Sequence, residues 1–320
     1  MSDLPSPASV VRRTIVVSTL CIASLAAQEP AHPPVVGTWD LTLTAPDGRA
    51  LPSWLEVHMS GRGVLVGRFV GVVGSVRPIA RLTYANDTLR FSLPPQWEAG
   101  DADLQFAAAL AGDGLGGTIT DPSGRRYPFT GVRAPVLRHA TPVWGPPRRL
   151  FNGRDLAGWH TVGGTNQWSA VSGLLTNAKG GANLVTDALY TDFKLHVEVR
   201  YPSGGNSGVY LRGRHEVQVE DSVVTKADAE ATGGIGAIYG FLIPNQSASH
   251  GPGKWETLDV TLVGRLVTVV LNGKRIISEA EIPGPTGGAL DSKEGAPGPI
   301  MLQGDHGPVE YRNLVITPAK

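Results

Sequence analysis

The stretch Phe193–Val199, FKLHVEV, decides the fold class of this 320-residue chain. Its four apolar residues alternate with Lys194, His196 and Glu198. Successive side chains of a β-strand point to opposite faces, so the pattern predicts a strand with one packed and one solvated face. Farther along, VTVVLNGKRII at 267–277 places Asn272-Gly273 between two apolar runs. That arrangement is the strongest short signal for a β-hairpin.

Short apolar runs separated by turn residues continue in both directions along the chain, and the 41 glycines and 25 prolines are scattered between them. Glycines and prolines spaced in this way favour many short strands joined by turns. The chain is predicted to be all-β, with a small antiparallel barrel or sandwich at 35–134, a proline-rich linker at 135–148 and a larger domain at 149–320. The only hint of helix lies at 226–231.

The larger domain has the strand number expected of a jelly-roll sandwich of two antiparallel sheets. One sheet of such a sandwich is commonly concave and accepts elongated ligands. The predicted strands are Trp168–Val171, Leu174–Thr176, Phe193–Val199, Ser207–Leu211, Glu216–Val219, Trp255–Val263, Leu266–Leu271, Lys274–Ile277, Ile300–Gln303 and Val309–Ile316.

The charge balance points to a neutral partner. The chain has 28 basic and 28 acidic residues, so nothing indicates binding to nucleic acid or to an anionic membrane. Its N-terminus predicts export: Arg12-Arg13 precedes an apolar stretch that is too short to span a bilayer, and small residues end it near Ala27. Residues 1–27 are therefore expected to be a signal peptide, and the mature protein to be periplasmic or extracellular without an integral membrane segment.

The run RHEVQVED at 214–221 combines a strand pattern with acidic residues. Glu216, Gln218 and Glu220 share one face because strand side chains alternate. Such a face is either solvated or the floor of a site. EVQVE also resembles the E-x-D-x-E strand of laminarinase-type glycosidases, but Gln218 stands where that signature has an aspartate, which argues against ordinary glycosidase chemistry.

Six blocks of the larger domain occur in the order seen in the 3-keto-disaccharide hydrolase domain family, and the chain resembles that family over about 149–318. The blocks are LFNGRDLAGWH, GGNSGVYLRG, HEVQVED, GAIYG, GKWETLDVTLVG with VTVVLNGK, and LQGDHGPVEYRNLVI. The resemblance implies a concanavalin A-like jelly roll, exported in bacteria, that acts on glycosides oxidised to a ketone at carbon 3. The family has an apolar residue where Glu220 stands and often has Glu where Lys254 stands, so these two are not assigned to shared chemistry.

A ketone at carbon 3 acidifies the hydrogen on carbon 2, so elimination needs one base, donors at the ketone oxygen and one acid. Glu216 or Asp221 is the candidate base, and His306 or Tyr239 the candidate proton donor. Gln218 and Arg212 are candidate donors to sugar oxygens. Asn206 and Trp255 complete the predicted substrate-binding set. Catalysis predicts that Glu216, Asp221, Arg212 and His306 converge in one pocket.

The alternative is a non-catalytic carbohydrate-binding protein that uses the same concave sheet. It predicts an open groove lined by aromatic side chains, for which the larger domain offers Trp159, Trp168 and Trp255. No cofactor is predicted, because no glycine-rich phosphate loop follows a strand and opens a helix. Asp221, Asp305 and His306 are candidates for an oxygen-rich or mixed metal site, but no paired spacing supports zinc, and the metal is left unassigned.

Overall fold

The computed structural model describes Met1 and residues 33–61, 63–137, 141–221 and 234–320. The predicted signal peptide and the helical hint at 226–231 lie outside these residues, apart from Met1. The described residues form strands and no helix, so none of them belongs to a helix that is long and apolar enough to cross a membrane. The all-β class is confirmed.

The first eight strands form a closed antiparallel barrel in which each strand pairs with the next and β8 pairs with β1. Apolar and polar residues alternate along its strands. In β5 the residues Leu89, Phe91 and Leu93 are buried and their neighbours face outward. Four phenylalanine rings contact one another in its core. The strands are β1 Gly37–Thr44, β2 Ala50–Ser60, β3 Val64–Val70, β4 Arg77–Ala85, β5 Thr88–Leu93, β6 Leu104–Ala111, β7 Gly114–Thr120 and β8 Arg126–Arg133.

The remaining strands form a sandwich of two sheets, as predicted for a jelly roll. A five-stranded sheet has the order β10-β13-β20-β15-β16, and the other sheet has the order β11-β12-β21-β14-β17-β18-β19, with β9 paired to β21. Their bounds are β9 Arg148–Arg149, β10 Trp159–Val162, β11 Trp168–Val171, β12 Leu174–Asn177, β13 Asn183–Thr186, β14 Phe193–Arg200, β15 Asn206–Leu211, β16 His215–Glu220, β17 Glu256–Val263, β18 Leu266–Leu271, β19 Lys274–Glu281, β20 Met301–Leu302 and β21 Val309–Pro318.

The two sequence patterns that decided the class behave as predicted. The four apolar side chains of β14 are buried in the core between the sheets. Asn272 and Gly273 both have positive φ and join β18 to β19 in a hairpin, which fits a type I′ turn. Three short strands were not predicted, namely β9, β10 and β13.

Barrel and sandwich belong to one compact unit, Pro33–Lys320. The outer face of the barrel packs on the sandwich: Trp54 makes an edge contact with Phe241 at 5.3 Å between ring centroids, and the Thr42 and Ser292 hydroxyls lie 2.7 Å apart. The predicted linker is attached to the sandwich at its end, since Trp144 bridges Ala319 and Arg148 pairs with β21.

Candidate active site

The acidic face of β16 is buried and is not solvated. Glu216, Gln218 and Glu220 are each at most 4% exposed. Val217 and Val219 point the other way, into the core between the sheets. Strand alternation therefore holds three polar side chains on the outer face of the five-stranded sheet, where other segments cover them.

Backbone hydrogen bonds close the outer edge of β16. The Gln218 N–H donates to the Ala237 carbonyl, the Tyr239 N–H donates to the Glu216 carbonyl, and the Glu216 N–H donates to the Thr286 hydroxyl at 3.0 Å. An edge strand whose polar groups are paired is fixed in place. The segments at 236–239 and 284–288 thus fix the backbone that carries Glu216.

The Glu216 carboxyl group lies directly over Gly208 of the neighbouring strand. A Cβ atom added at Gly208 would overlap Oε1 of Glu216, so only glycine leaves room for the carboxyl group there. Tyr210 holds the second oxygen: its hydroxyl lies 2.8 Å from Glu216 Oε2 and 2.9 Å from the Gly287 carbonyl oxygen.

The Tyr210 hydroxyl has a single proton, while the Gly287 carbonyl can only accept. That proton is shared between the two acceptors, Glu216 Oε2 and the Gly287 carbonyl oxygen. Desolvation by burial is the largest effect on the Glu216 carboxyl group and raises its pKa to about 8, although the hydrogen bond from Tyr210 lowers that pKa. The Glu216 carboxyl group is thus held mainly in its neutral form at pH 7 and becomes a strong carboxylate base once ionised.

His306 supplies a positive charge near this carboxyl group. Its Nδ1 lies 2.6 Å from Asp305 Oδ1, and the imidazole is about half exposed. The hydrogen bond to Asp305 raises the pKa of His306, and the charges of Glu216 and Glu220 raise that pKa further. Reciprocally, the charge of His306 lowers the pKa of Glu216. An ionised Glu216 and a protonated His306 therefore stabilise each other.

Three other predicted site residues lie on or beside the β15–β16 pair that carries Glu216. Gln218 lies on the Glu216 face, and its Oε1 accepts a hydrogen bond from the Val219 N–H at 3.0 Å. Asn206 is half-buried and stands opposite Glu220 across the β15–β16 pair. Tyr239 is half-buried and close enough to Tyr210 to raise its pKa, although desolvation raises it most.

Asp221, a candidate base, lies on the wrong side of the strand. It is buried, and its Oδ2 accepts a hydrogen bond from the Gly204 N–H at 2.9 Å. Desolvation raises the pKa of Tyr201 most, and the charge of Asp221 raises it further; the Tyr201 side chain packs in the core between the sheets. Residues 216 and 221 are an odd number of positions apart, so alternation separates them. The predicted convergence of Asp221 with Glu216 is wrong.

Arg212 belongs to a different buried cluster. It occupies the β15–β16 turn with φ of 54°, and its Nη2 donates to the Gly264 carbonyl at 2.8 Å. Desolvation lowers its pKa to about 10, and the nearby charges are those of Glu294, Arg214, Asp192 and Arg265. The prediction that Arg212 faces the sugar beside Glu216 is corrected, because the left-handed turn directs it to this cluster.

Trp255 is on the other sheet of the sandwich. Its ring covers two guanidinium groups, those of Arg200 at 4.7 Å and Arg312 at 4.0 Å. Both arginines alternate with core residues on β14 and β21, so they occupy the outer face of the larger sheet. Trp255 therefore cannot contact a sugar that is bound at Glu216. The prediction that it binds substrate is corrected.

Two residues of the site were not predicted for the roles they occupy. Tyr210 looked like an ordinary apolar strand position in GVYL, and Asp305 was considered only for a metal. The spacing of Tyr210 and Glu216 across a short turn, 210 to 216, was the available signal for their pairing. Within the described ranges, no three His, Cys, Asp or Glu side chains are grouped in a way that suits a metal ion.

Comparison with known proteins places the sandwich part of the chain in a family. The model of the 3-keto-alpha-glucoside-1,2-lyase-like domain matches residues 146–317, just over half of the chain. The chain belongs to this family of carbohydrate-acting, hydrolase-like proteins. No match to the chain was found among curated proteins.

The solved structures to which this chain is similar include two proteins of Parabacteroides distasonis ATCC 8503, each named "putative glycosyl hydrolase". One is 28% identical, over 57% of this chain and 93% of its own, with a TM-score of 0.45. The other is 25% identical, over 54% and 98%, with a TM-score of 0.43. The carbohydrate-binding module CBM66 of Bacillus subtilis is 15% identical, over 50% and 95%, with a TM-score of 0.32.

Proposed function

We propose that this protein cleaves glycosides whose glucosyl unit carries a ketone at carbon 3, by elimination followed by hydration. One observation carries the proposal: a buried carboxyl group, Glu216, lies beside the half-exposed His306 and is held by Tyr210. A base whose pKa is raised to about 8 by burial is better matched to removal of a carbon-bound proton than an ordinary carboxylate.

Glu216 acts as the base in its ionised form and takes the hydrogen from carbon 2. The electron pair of that C–H bond is delocalised to the oxygen on carbon 3 as an enolate. The enolate then expels the oxygen on carbon 1, a double bond forms between carbons 1 and 2, and His306 protonates the leaving oxygen. Water next adds its oxygen at carbon 1 and a hydrogen at carbon 2, which gives 3-keto-glucose.

Substrate binding in this proposal involves Gln218 and Asn206, which lie on the β15–β16 pair, and Tyr239, whose N–H bonds to the Glu216 carbonyl. Neutral hydrogen-bonding groups of this kind suit an uncharged sugar. Tyr239 lies near the Tyr210 hydroxyl and would bind the sugar at the same end as the base.

Binding without catalysis is less well supported. An open sugar-binding groove would be lined by exposed aromatic rings, but Trp159 and Trp168 are buried in the core and Trp255 covers the other sheet. A raised pKa beside a charged partner also indicates a reacting group more than a binding surface.

Glu216→Gln tests the assignment. Loss of a general base is expected to lower the release of 3-keto-glucose from 3-keto-trehalose or 3-keto-lactose by about 10³-fold. Glutamine keeps the shape of the side chain, so the variant should remain folded by circular dichroism. Glu281→Gln, at an exposed end of β19, is the matched control. Retention of more than a tenth of the wild-type turnover by Glu216→Gln would exclude Glu216 as the base.

The proposal also includes export of the protein from the cytoplasm. Arg12-Arg13 and the following short apolar stretch are typical of a signal peptide, and a periplasmic or extracellular enzyme would meet its glycosides outside the cytoplasm. N-terminal sequencing of the mature protein after expression in a bacterial host should show that it begins near Gln28. A mature chain that keeps residues 1–27 would contradict export.

A further inference from the structure

The barrel touches both segments that flank Glu216. The Gly288 N–H donates to the Val72 carbonyl at 3.0 Å. A Cβ atom added at Gly287 would overlap the backbone of Gly74, and one added at Gly240 would lie 2.9 Å from the Ser75 Cβ. Gly287 is also the residue whose carbonyl binds the Tyr210 hydroxyl. The loop between β3 and β4 therefore packs against Gly287 and Gly288. Gly287 is the residue that binds Tyr210, which in turn holds Glu216.

A second barrel loop, at 94–98, is fixed against the first. Arg77 donates to the Pro94 carbonyl at 3.1 Å and pairs with Glu98 at 2.8 Å. Gln96 donates to the Ser75 hydroxyl at 2.7 Å. A largely buried ion pair and side-chain hydrogen bonds hold a loop in a single conformation.

This fixed loop carries Trp97, which is 64% exposed. Every other phenylalanine, tyrosine and tryptophan of the described ranges is buried or half-buried. The indole lies beside the active-site edge of the barrel, because its Cδ1 is 2.8 Å from the Cβ position of Gly74. An indole has few rotatable bonds and a large apolar surface, so an exposed indole on a loop held by these contacts is an effective contact for a ligand ring.

We propose that Trp97 is a binding platform for the leaving group of the substrate, at a subsite that the barrel adds to the sandwich. The inference rests on the proposed function, since the 3-keto-glucosyl unit must lie between Glu216 and His306 for the elimination. The ring that contacts the barrel is then the leaving group, which is bonded through oxygen to carbon 1 of the 3-keto-glucosyl unit. The ligand class is a pyranose or aromatic leaving group that can stack on the indole.

Two substrates separate this role from a general effect on catalysis. For Trp97→Ala acting on a 3-keto-disaccharide, kcat/KM is expected to fall about tenfold, through KM. For a methyl 3-keto-glucoside, whose leaving group has no ring, the loss should be less than twofold. Trp97→Phe keeps a ring and should restore most of the disaccharide activity. Val64→Ala is the control, because Val64 is an exposed apolar residue at the opposite end of β3.

Equal losses on the two substrates, or no loss on either, would overturn the platform while leaving the Glu216 chemistry intact. Absence of turnover by the wild type on both substrates would overturn the proposed function instead. Calorimetric binding of the 3-keto-disaccharide would then decide the platform: weaker binding by Trp97→Ala than by the wild type supports it, and equal binding contradicts it.

Discussion

Glu216 and Glu294 are both buried carboxyl groups, and desolvation raises the pKa of each, yet they differ in what surrounds them. Glu216 faces Tyr210 and the half-exposed His306. Glu294 is fully buried and bonded to Arg265, with His215 at 3.7 Å and the barrel residue Asp40 as a further partner. A raised pKa thus marks a reacting group only where a substrate can reach it.

The Glu294 cluster connects the barrel to the sandwich. Asp40 lies on the outer face of β1, and its own pKa is raised to about 8 by desolvation and by the charge of Glu294. Hydrogen bonding between two carboxyl groups requires a shared proton. Arg265 and Arg212 supply the compensating positive charge. The cluster is therefore expected to stabilise the fold and to take no part in turnover.

Glu294→Ala should give the largest change in stability. It leaves the buried Arg265 without its carboxylate, and breaking a buried pair in this way costs about 3–5 kcal/mol. Urea unfolding followed by tryptophan fluorescence measures the loss, with Glu281→Ala as an exposed control. A loss below about 1 kcal/mol would mean that the cluster resembles a surface pair, and the contrast with Glu216 would not hold.

Gly208→Ala should displace the Glu216 carboxyl group and leave the Glu294 cluster unchanged. The added methyl group displaces Glu216, and a misplacement of about 1 Å lowers catalysis by about 10²-fold. Gly116→Ala is matched to it, since Gly116 is also within a strand and a Cβ atom there meets nothing within 4 Å. Activity assays on variants that are shown to be folded would test this. If Gly208→Ala keeps nearly full activity, the position of Glu216 is not critical.

The pH dependence of stability gives a separable test of Glu216. The folded-state pKa of Glu216 is above its ordinary value of 4.5, at about 8. Between these values the folded protein retains a proton that the unfolded chain releases, so this group lowers stability as pH rises, by at most about 1.4 kcal/mol per pH unit. Below pH 4.5 the effect is absent, and above pH 8 it is constant.

Glu216→Gln removes this contribution, so the variant should gain stability relative to the wild type as pH rises from 5 to 8. Denaturant unfolding at several pH values measures the difference. Over the same range the wild-type kcat/KM should rise towards pH 8, because the base must be ionised. A stability difference that does not change with pH would show that Glu216 is already ionised at pH 5.

Sequence analysis identified the acidic strand but misplaced some of its partners. The alternation in β16 placed Glu216, Gln218 and Glu220 on one face, and the structure agrees. The same alternation already separated Asp221 from Glu216, so that error was avoidable. The error on Arg212 was not, because a left-handed φ in a turn redirects a side chain without any periodic signal.

The sequence by itself determined the strands, the hairpin at Asn272-Gly273 and the family, because period-two alternation, turn chemistry and ordered sequence blocks are local features of the chain. Only the tertiary structure decided that Glu216 lies over Gly208, beside Tyr210 and near His306, and that the barrel packs against the segments around it. Those relations join residues that are far apart in the sequence, and they depend on sheet order and on burial, which raises a carboxyl pKa only once the chain is packed.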